Sequence, residues 1–264
     1  MSGKSRNHEK KMTFLEHTVE LLSRLRIIVL SVVLLGFLVA FWPTDVVKTF
    51  SASLEYTPIV ALLMNKMKRD LLPKGAMLIA GSIMDTAHIY LTMSMLVGVI
   101  LSSPIIAYEL YKFFNPALLP SERKWASRFV ASFIGLMIFG ASLSYKVILP
   151  ITFRILMWFV RSAGAEPIFH VSDFVNIIVT LMIGVGLIYS SPIFVVLLVE
   201  RGVLTSSQIS KNRRIVYLVF IIMAAVLTPD PTILSDIILF APFAIIYEAV
   251  IYASKRVEKR KALQ

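Results

Sequence analysis

The chain has 264 residues, of which 57% are hydrophobic and only 16% are charged, and its net charge is +11. A chain this apolar does not fit a soluble domain of the same length. It contains no cysteine, which excludes disulfides, thiolate metal sites and a cysteine nucleophile. The basic surplus lies beside apolar segments, where it sets membrane topology and contacts anionic lipid. We therefore expect a membrane protein with anionic lipid as a partner and no nucleic-acid binding.

Long apolar segments alternate with shorter polar loops along the chain. A helix of about 20 mostly apolar residues crosses the hydrocarbon core of a bilayer. The pattern therefore predicts an all-α, polytopic membrane protein with six transmembrane helices. These segments are 25–42, 87–110, 126–149, 174–199, 214–227 and 233–253. The fifth segment is short, since residues 215–227 give only about 20 Å of helix.

Lysine and arginine are concentrated on one side of the predicted membrane. Four regions hold 19 of the 27 basic residues, namely 1–26, 112–128, 201–214 and 255–264. Basic loops remain in the cytoplasm, so both termini are expected there. We treat residues 1–264 as one domain of the cytoplasmic membrane, with a cytoplasmic N-terminal segment over 1–24 and a cytoplasmic tail over 254–264. Residues 43–86 form the longest outer segment, for which we expect short interfacial helices.

Charged residues at the predicted membrane boundary are the first functional candidates. Glu20 and Arg24 share one helix face, with His17 beside them, and spacing alone favours a solvated, salt-bridged start of a helix. Glu109 lies at the edge of the second span, where a charge is costly and is a functional candidate by default. A plain interfacial pair between Glu109 and Lys112 is the equally weighted alternative.

The sequence favours no enzyme, metal or cofactor. It contains no nucleotide-binding loop, no zinc-protease motif and no serine-hydrolase motif. The four histidines are widely scattered, and a metal site needs several ligands together. Ser190 and Ser191 have no histidine near their depth in the membrane, which argues against an intramembrane hydrolase.

Five segments, in chain order, carry a resemblance to a known family. They are 14–25 (FLEHTVELLSRL), 103–123 with its SP, YE, PAL and SER elements, 186–192, 204–213 and 228–231 (TPDP). Together they resemble TatC, the large membrane subunit of the twin-arginine protein translocase. Each motif is weak by itself, but five collinear matches cover nearly the whole chain. The resemblance implies six helices, some of them kinked, around a concave face, with both termini inside.

The resemblance also implies a function and a binding surface. TatC-like proteins bind the signal peptides of folded cargo and recruit small single-span partners of the TatA type, in an oligomeric complex. Glu20 and Glu122 match the family's twin-arginine recognition glutamates. Carboxylates suit this task because they bind guanidinium groups through paired, charge-assisted hydrogen bonds. The surrounding positions of that surface are matched by His17, Arg24, Phe113 and Pro116.

The fourth span departs from the family pattern. The family usually has a glutamate where this chain has Ser190, followed by Ser191 and Pro192. We expect a weaker polar contact with the TatA-type partner there. Asp230 matches the aspartate of the outer turn, although the order of proline and aspartate differs. We group together five residues as candidates for contacts within the membrane or with the partner. They are Glu109, Ser190, Ser191, Pro192 and Asp230.

A small-molecule secondary transporter is the alternative function. Such a transporter needs broken helices around ionisable groups near the bilayer midplane. Pro104 and Pro192 predict kinks, but the acidic residues lie near the membrane faces. The sequence therefore favours the translocase receptor over the transporter, without identifying the cargo.

Overall fold

The computed structural model describes residues 14–44, 57–114, 123–230 and 232–262. Within this part of the chain, most residues are helical. The helices are α1 (Phe14–Ala40), α2 (Ile59–Leu71), α3 (Ile83–Phe114), α4 (Arg123–Leu143), α5 (Leu149–Ser162), α6 (Val171–Ser190), α7 (Pro192–Glu200), α8 (Ser206–Lys211), α9 (Arg213–Leu227) and α10 (Ile233–Ala262). A π-helical segment, Ser144–Ile148, joins α4 directly to α5.

Five helical segments in this part of the chain are long and apolar enough to cross a membrane. They are Leu15–Ala40, Ile83–Phe114, Trp125–Ser162, Val171–Glu200 and Ile233–Lys259. The prediction of an all-α, polytopic membrane protein is confirmed. The predicted number of six transmembrane helices is not reached when helix length is the criterion. The sixth candidate, α9, has only 15 residues and is about 22 Å long.

The two expected proline kinks differ in the structure. Pro192 starts α7, and Ser191 separates it from α6, so the helix is interrupted there as predicted. Pro104 instead lies inside α3, which continues from Ile83 to Phe114 as one helix. Pro104 lacks the backbone N–H donor, but this loss does not interrupt the helical hydrogen bonds of the neighbouring turns of α3.

Between α1 and α3, the described residues form one helix and a strand. Helix α2 buries Val60, Met67 and Leu71 on one side, so a short helix is present in the segment where short helices were expected. Strand β1 (Met77–Ile79) then pairs in parallel with β2 (Ile168–His170), just before α6. This pairing was not predicted, because three-residue strands 91 positions apart leave no periodic pattern in the sequence.

Buried aromatic side chains form the centre of the bundle. Tyr189 of α6 is completely buried and donates its hydroxyl to the carbonyl oxygen of Leu239 in α10. The rings of Phe220 and Phe243 stack with centroids 3.8 Å apart, and both rings also contact Tyr189. A second cluster includes Tyr111, Phe129 and Phe133, and it holds the end of α3 against the start of α4.

Helices α1 and α3 run antiparallel and approach closely at two glycines. A Cβ atom placed on Gly98 would lie 2.7 Å from the carbonyl oxygen of Val32 and 2.9 Å from the Cα atom of Gly36. Small residues permit this backbone approach in membranes, where packing rather than hydrophobic burial drives helix association. The crossing fixes the register between α1 and α3, and hence which side chains meet near their polar ends.

Gly98→Ala should destabilise this crossing, because the new methyl group meets backbone atoms that cannot rotate away. We expect a loss of about 1–3 kcal/mol, the usual cost of overpacking, measured as thermal or denaturant unfolding in detergent. Gly135→Ala on α4 is the matched control, because a Cβ there meets no atom within 4 Å. Equal stability of the two variants would contradict the proposed role of Gly98.

Candidate functional site

The polar ends of α1 and α3 meet and bring together side chains that are far apart in sequence. His17 at the start of α1 stacks on Phe113 at the end of α3, with ring centroids 4.5 Å apart and planes inclined by 20°. Two turns further along α1, Arg24 reaches Glu109 on α3. This order follows from the antiparallel register set at Gly98. The structure therefore brings together, where α1 meets the end of α3, four residues that were matched to the recognition surface or its surroundings. They are His17, Glu20, Arg24 and Phe113.

Arg24 bridges two carboxylates. Its Nη2 atom lies 2.6 Å from Oε1 of Glu20, and its Nε atom donates to the same oxygen at 3.1 Å. Its Nη1 atom lies 2.9 Å from Oε2 of Glu109. Lys112 approaches the other oxygen of Glu109 at 3.6 Å. We call Glu20, Arg24, Glu109 and Lys112 the charge cluster.

One carboxylate oxygen in the charge cluster has no hydrogen-bond partner in the described part of the chain. Oε2 of Glu20 is buried and accepts no hydrogen bond from the described residues. A buried acceptor without a partner costs free energy, so a donor that reaches it gains a favourable contact. Both hydrogen bonds to Glu20 from Arg24 use Oε1, which leaves Oε2 available to an additional donor.

The structure changes the assignment of Glu109. The sequence grouped it with the polar residues of the fourth span, but its carboxylate is bound to Arg24, and the residue is only 6% exposed. The alternative pairing with Lys112 is also present, at the longer distance. Spacing along α3 could indicate only the local pair with Lys112. The contact with Arg24 crosses 85 positions and depends on helix packing.

Ser190 does not lie on the surface. It is 1% exposed, and its hydroxyl donates to the carbonyl oxygen of Leu187 at 2.8 Å. The contact of Ser190 with a partner stays a prediction, and in this conformation its hydroxyl is used within its own helix, just before the break at Pro192. Pro192 is also buried. Ser191 is exposed, although its hydroxyl bonds the carbonyl oxygen of Ile188 in the same way.

Asp230 is an internal residue of the turn between α9 and α10. It is 5% exposed and accepts hydrogen bonds from Thr232 at 2.6 Å and Ser235 at 2.9 Å. Thr152 of α5 donates to its second oxygen at 3.4 Å. The partner contact expected at Asp230 stays a prediction, and in this conformation the carboxylate accepts hydrogen bonds from three hydroxyl groups of the same chain.

Two of the predicted site residues cannot be placed. Glu122 and Pro116 lie outside the described residues, so their positions relative to the charge cluster stay predictions. Among the described residues, no group of three or more histidine and acidic side chains could hold a metal ion.

The fold and the charge cluster define a multi-pass helical membrane protein with a polar site where its first helix meets the end of α3. A family model described as "Sec-independent protein translocase protein (TatC)" matches residues 16–242. The chain therefore belongs to the TatC family, as its motifs predicted.

Individual relatives agree with this assignment. The chain is 27% identical over 253 residues to a "Sec-independent protein translocase protein TatC" of Carboxydothermus hydrogenoformans, covering 96% of this chain and 97% of that protein. It is 31% identical over 251 residues to the protein of the same name in Halothiobacillus neapolitanus, covering 94% of this chain and 63% of that protein. A "Crystal Structure of Twin Arginine Translocase Receptor- TatC" shares the fold, with a TM-score of 0.71 and 22% identity over 92% of this chain and all of that one.

These matches decide between the two functions that the sequence left open. The chain is a component of the Sec-independent protein translocase, a family that transports proteins and is not enzymatic. The comparisons support this function and not the small-molecule secondary transporter.

Proposed function

We propose that this protein binds twin-arginine signal peptides and forms the membrane core of a translocase that exports folded proteins across the cytoplasmic membrane. The observation that carries the proposal is the buried Oε2 atom of Glu20 beside Arg24, which has no hydrogen-bond partner among the described residues. It is an acceptor for one more guanidinium group at the polar end of α1.

The chemistry of arginine suits this site. A guanidinium group is planar, always charged and presents several N–H donors in a fixed arrangement. Arg24 already contacts Glu20 in this way, so a ligand arginine would add donors to the second oxygen of the same carboxylate. The parallel rings of His17 and Phe113 offer an adjacent flat surface on which a guanidinium can stack. A lysine ligand offers only a point charge and would use neither feature fully.

The second arginine of the signal is assigned to Glu122. This carboxylate belongs to a loop rich in basic residues, with Arg123 and Lys124 immediately after it. A lone acid in a basic loop lowers the repulsion that a cationic ligand would otherwise meet. In this arrangement both termini are cytoplasmic, in agreement with the distribution of lysine and arginine.

The complex has further members in this proposal. A TatA-type single-span protein binds in the membrane, several copies of the chain assemble with it, and anionic lipid surrounds the basic face. The polar contact on the fourth span is now assigned to Ser191 and Thr180, because both are exposed whereas Ser190 is buried.

The decisive experiment measures peptide binding by the purified protein in nanodiscs. A fluorescent signal peptide with two arginines is compared with peptides in which lysines or glutamines replace them. We expect roughly tenfold weaker binding for the lysine peptide, because it loses the planar contacts, and a larger loss for the glutamine peptide. Equal affinity for all three peptides would overturn the proposal.

Substitutions at Glu122 test the second half of the site. Glu122→Ala should abolish crosslinking to the signal peptide while the protein still inserts and purifies normally. Glu122→Lys should also fail to bind, because it adds like-charge repulsion to the loss of the carboxylate. Glu166→Ala is the control, since it removes an exposed acid before β2. Full cargo binding by Glu122→Lys would refute the role of Glu122.

A further inference from the structure

A long groove lies between α4, α7 and α10, on a different set of helices from the charge cluster. Its volume is about 1130 Å³, which is slightly above the usual range for pockets that bind small molecules. Most of the lining is apolar and includes Leu136, Ile193, Val196, Leu197, Ala249 and Val250. Gly135 helps to keep the groove open, because a Cβ atom placed on this residue would have no other atom within 4 Å.

One end of the groove is basic. Arg128 lines it from α4, with its guanidinium carbon 5.4 Å from the centre of the Trp125 ring. Arg256 lines it from α10 and donates to the hydroxyl of Tyr252 at 2.7 Å. Glu200, which has contacts of its own, also lines the groove. The two guanidinium groups leave a net positive charge there, in line with an anionic ligand.

The length of the groove corresponds to one leaflet of a bilayer. Along α10 it extends from Arg256 to Ile246, a distance of about 15 Å at 1.5 Å per residue. This is half of the ~30 Å hydrocarbon core. A transmembrane helix of a partner would contact the groove along only half of the helix. A lipid, in contrast, places its phosphate at the membrane interface, and its acyl chains extend over about the length of the groove.

We propose that the groove between α4, α7 and α10 binds an anionic glycerophospholipid, with the phosphate between Arg128 and Arg256 and the acyl chains beside Gly135. Basic pockets between transmembrane helices bind anionic headgroups. The apolar walls supply the contact with the chains that a free phosphate lacks. The site ties α4 to α10 through a lipid at the end where α3 meets α4.

Trp125 provides a direct reporter of occupancy. The chain has three tryptophans, and Trp42 and Trp158 are exposed, so replacing both by phenylalanine leaves Trp125 alone. The full chain is reconstituted in vesicles with brominated phosphatidylglycerol in unlabelled phosphatidylcholine, and separately with brominated phosphatidylcholine in unlabelled phosphatidylglycerol. We expect brominated phosphatidylglycerol to quench Trp125 at a several-fold lower mole fraction than brominated phosphatidylcholine.

Variants separate a specific site from general attraction to a charged surface. Arg128→Gln with Arg256→Gln should abolish this several-fold preference, because the two guanidinium groups supply the positive charge of the groove. Lys255→Gln with Lys259→Gln removes the same charge from the same end of α10, outside the groove lining, and should keep the preference. Gly135→Phe should reduce quenching by both lipids because it fills the groove, whereas Gly135→Ala should not.

Two outcomes would overturn the lipid site. The first is equal quenching by the two lipids, or equal loss of preference in the arginine and lysine variants. The second is the absence of quenching by either lipid together with shielding of Trp125 by a twin-arginine peptide, which would assign the groove to the peptide. The first outcome involves no peptide, so the lipid site can fail while peptide binding at Glu20 stands, and the reverse is also possible.

Discussion

Glu20→Gln is expected to weaken binding of the twin-arginine peptide by roughly 30-fold or more. The substitution keeps the size of the side chain and removes the charge that attracts the ligand. Loss of one partner in a buried, hydrogen-bonded charge pair costs about 2–5 kcal/mol, and 1.4 kcal/mol corresponds to tenfold in affinity. Arg24 keeps its 2.9 Å contact with Glu109, so the junction of α1 and α3 should persist.

The control for this variant is Glu16→Gln, which removes an exposed acid one helical turn earlier on α1. Binding is measured by titrating the fluorescent peptide into nanodiscs, and folding by the thermal transition of each variant. We expect the Glu16 variant to bind within about twofold of the unmodified protein, since exposed charge contacts are weak. A folded Glu20→Gln variant with unchanged affinity would remove Glu20 from the recognition site.

Asp230→Ala is expected to have the largest effect on stability. It removes the acceptor for the hydroxyls of Thr152, Thr232 and Ser235 in a buried turn. Each buried polar group left without a partner costs about 1–3 kcal/mol, and water reaching the turn would recover part of this. We expect a net loss of about 2–4 kcal/mol in the free energy of unfolding, measured in detergent by denaturant titration.

The design distinguishes a structural role of Asp230 from a recognition role. Thr152 lies in the first turn of α5, beyond the far end of α4, so Asp230 lies away from the charge cluster. The unfolding midpoint should fall while the surviving folded protein keeps its affinity for the twin-arginine peptide. Asp173→Ala, an exposed acid in the first turn of α6, is the control. Unchanged stability of Asp230→Ala would show that its hydrogen bonds contribute little.

The charge cluster also has a consequence for how a ligand would bind. Arg24 and Lys112 together balance the two negative charges of Glu20 and Glu109 before any ligand arrives. A ligand arginine then joins a cluster that is already organised, and it does not have to pay for ordering Glu20. Preorganisation of this kind favours affinity because fewer side chains lose freedom on binding.

The sequence by itself determined the protein class. Apolar segments long enough to cross a bilayer can be found without tertiary information, because the membrane requires both their length and their helical hydrogen bonding. The family was also evident, since five short motifs stood in the same order along the chain. The family model over residues 16–242 confirms that identification. Even the short fifth segment was visible as a stretch too brief for an ordinary span.

Only the tertiary structure decided which polar residues meet. Glu109 and Arg24 are 85 positions apart, and their contact follows from the crossing of α1 and α3 at Gly98. Burial of Ser190 and Asp230 was equally invisible, because a hydroxyl or carboxylate in a sequence does not show which face of its helix is covered. Helical periodicity describes one helix at a time, whereas these contacts depend on the register between helices, which close backbone packing sets.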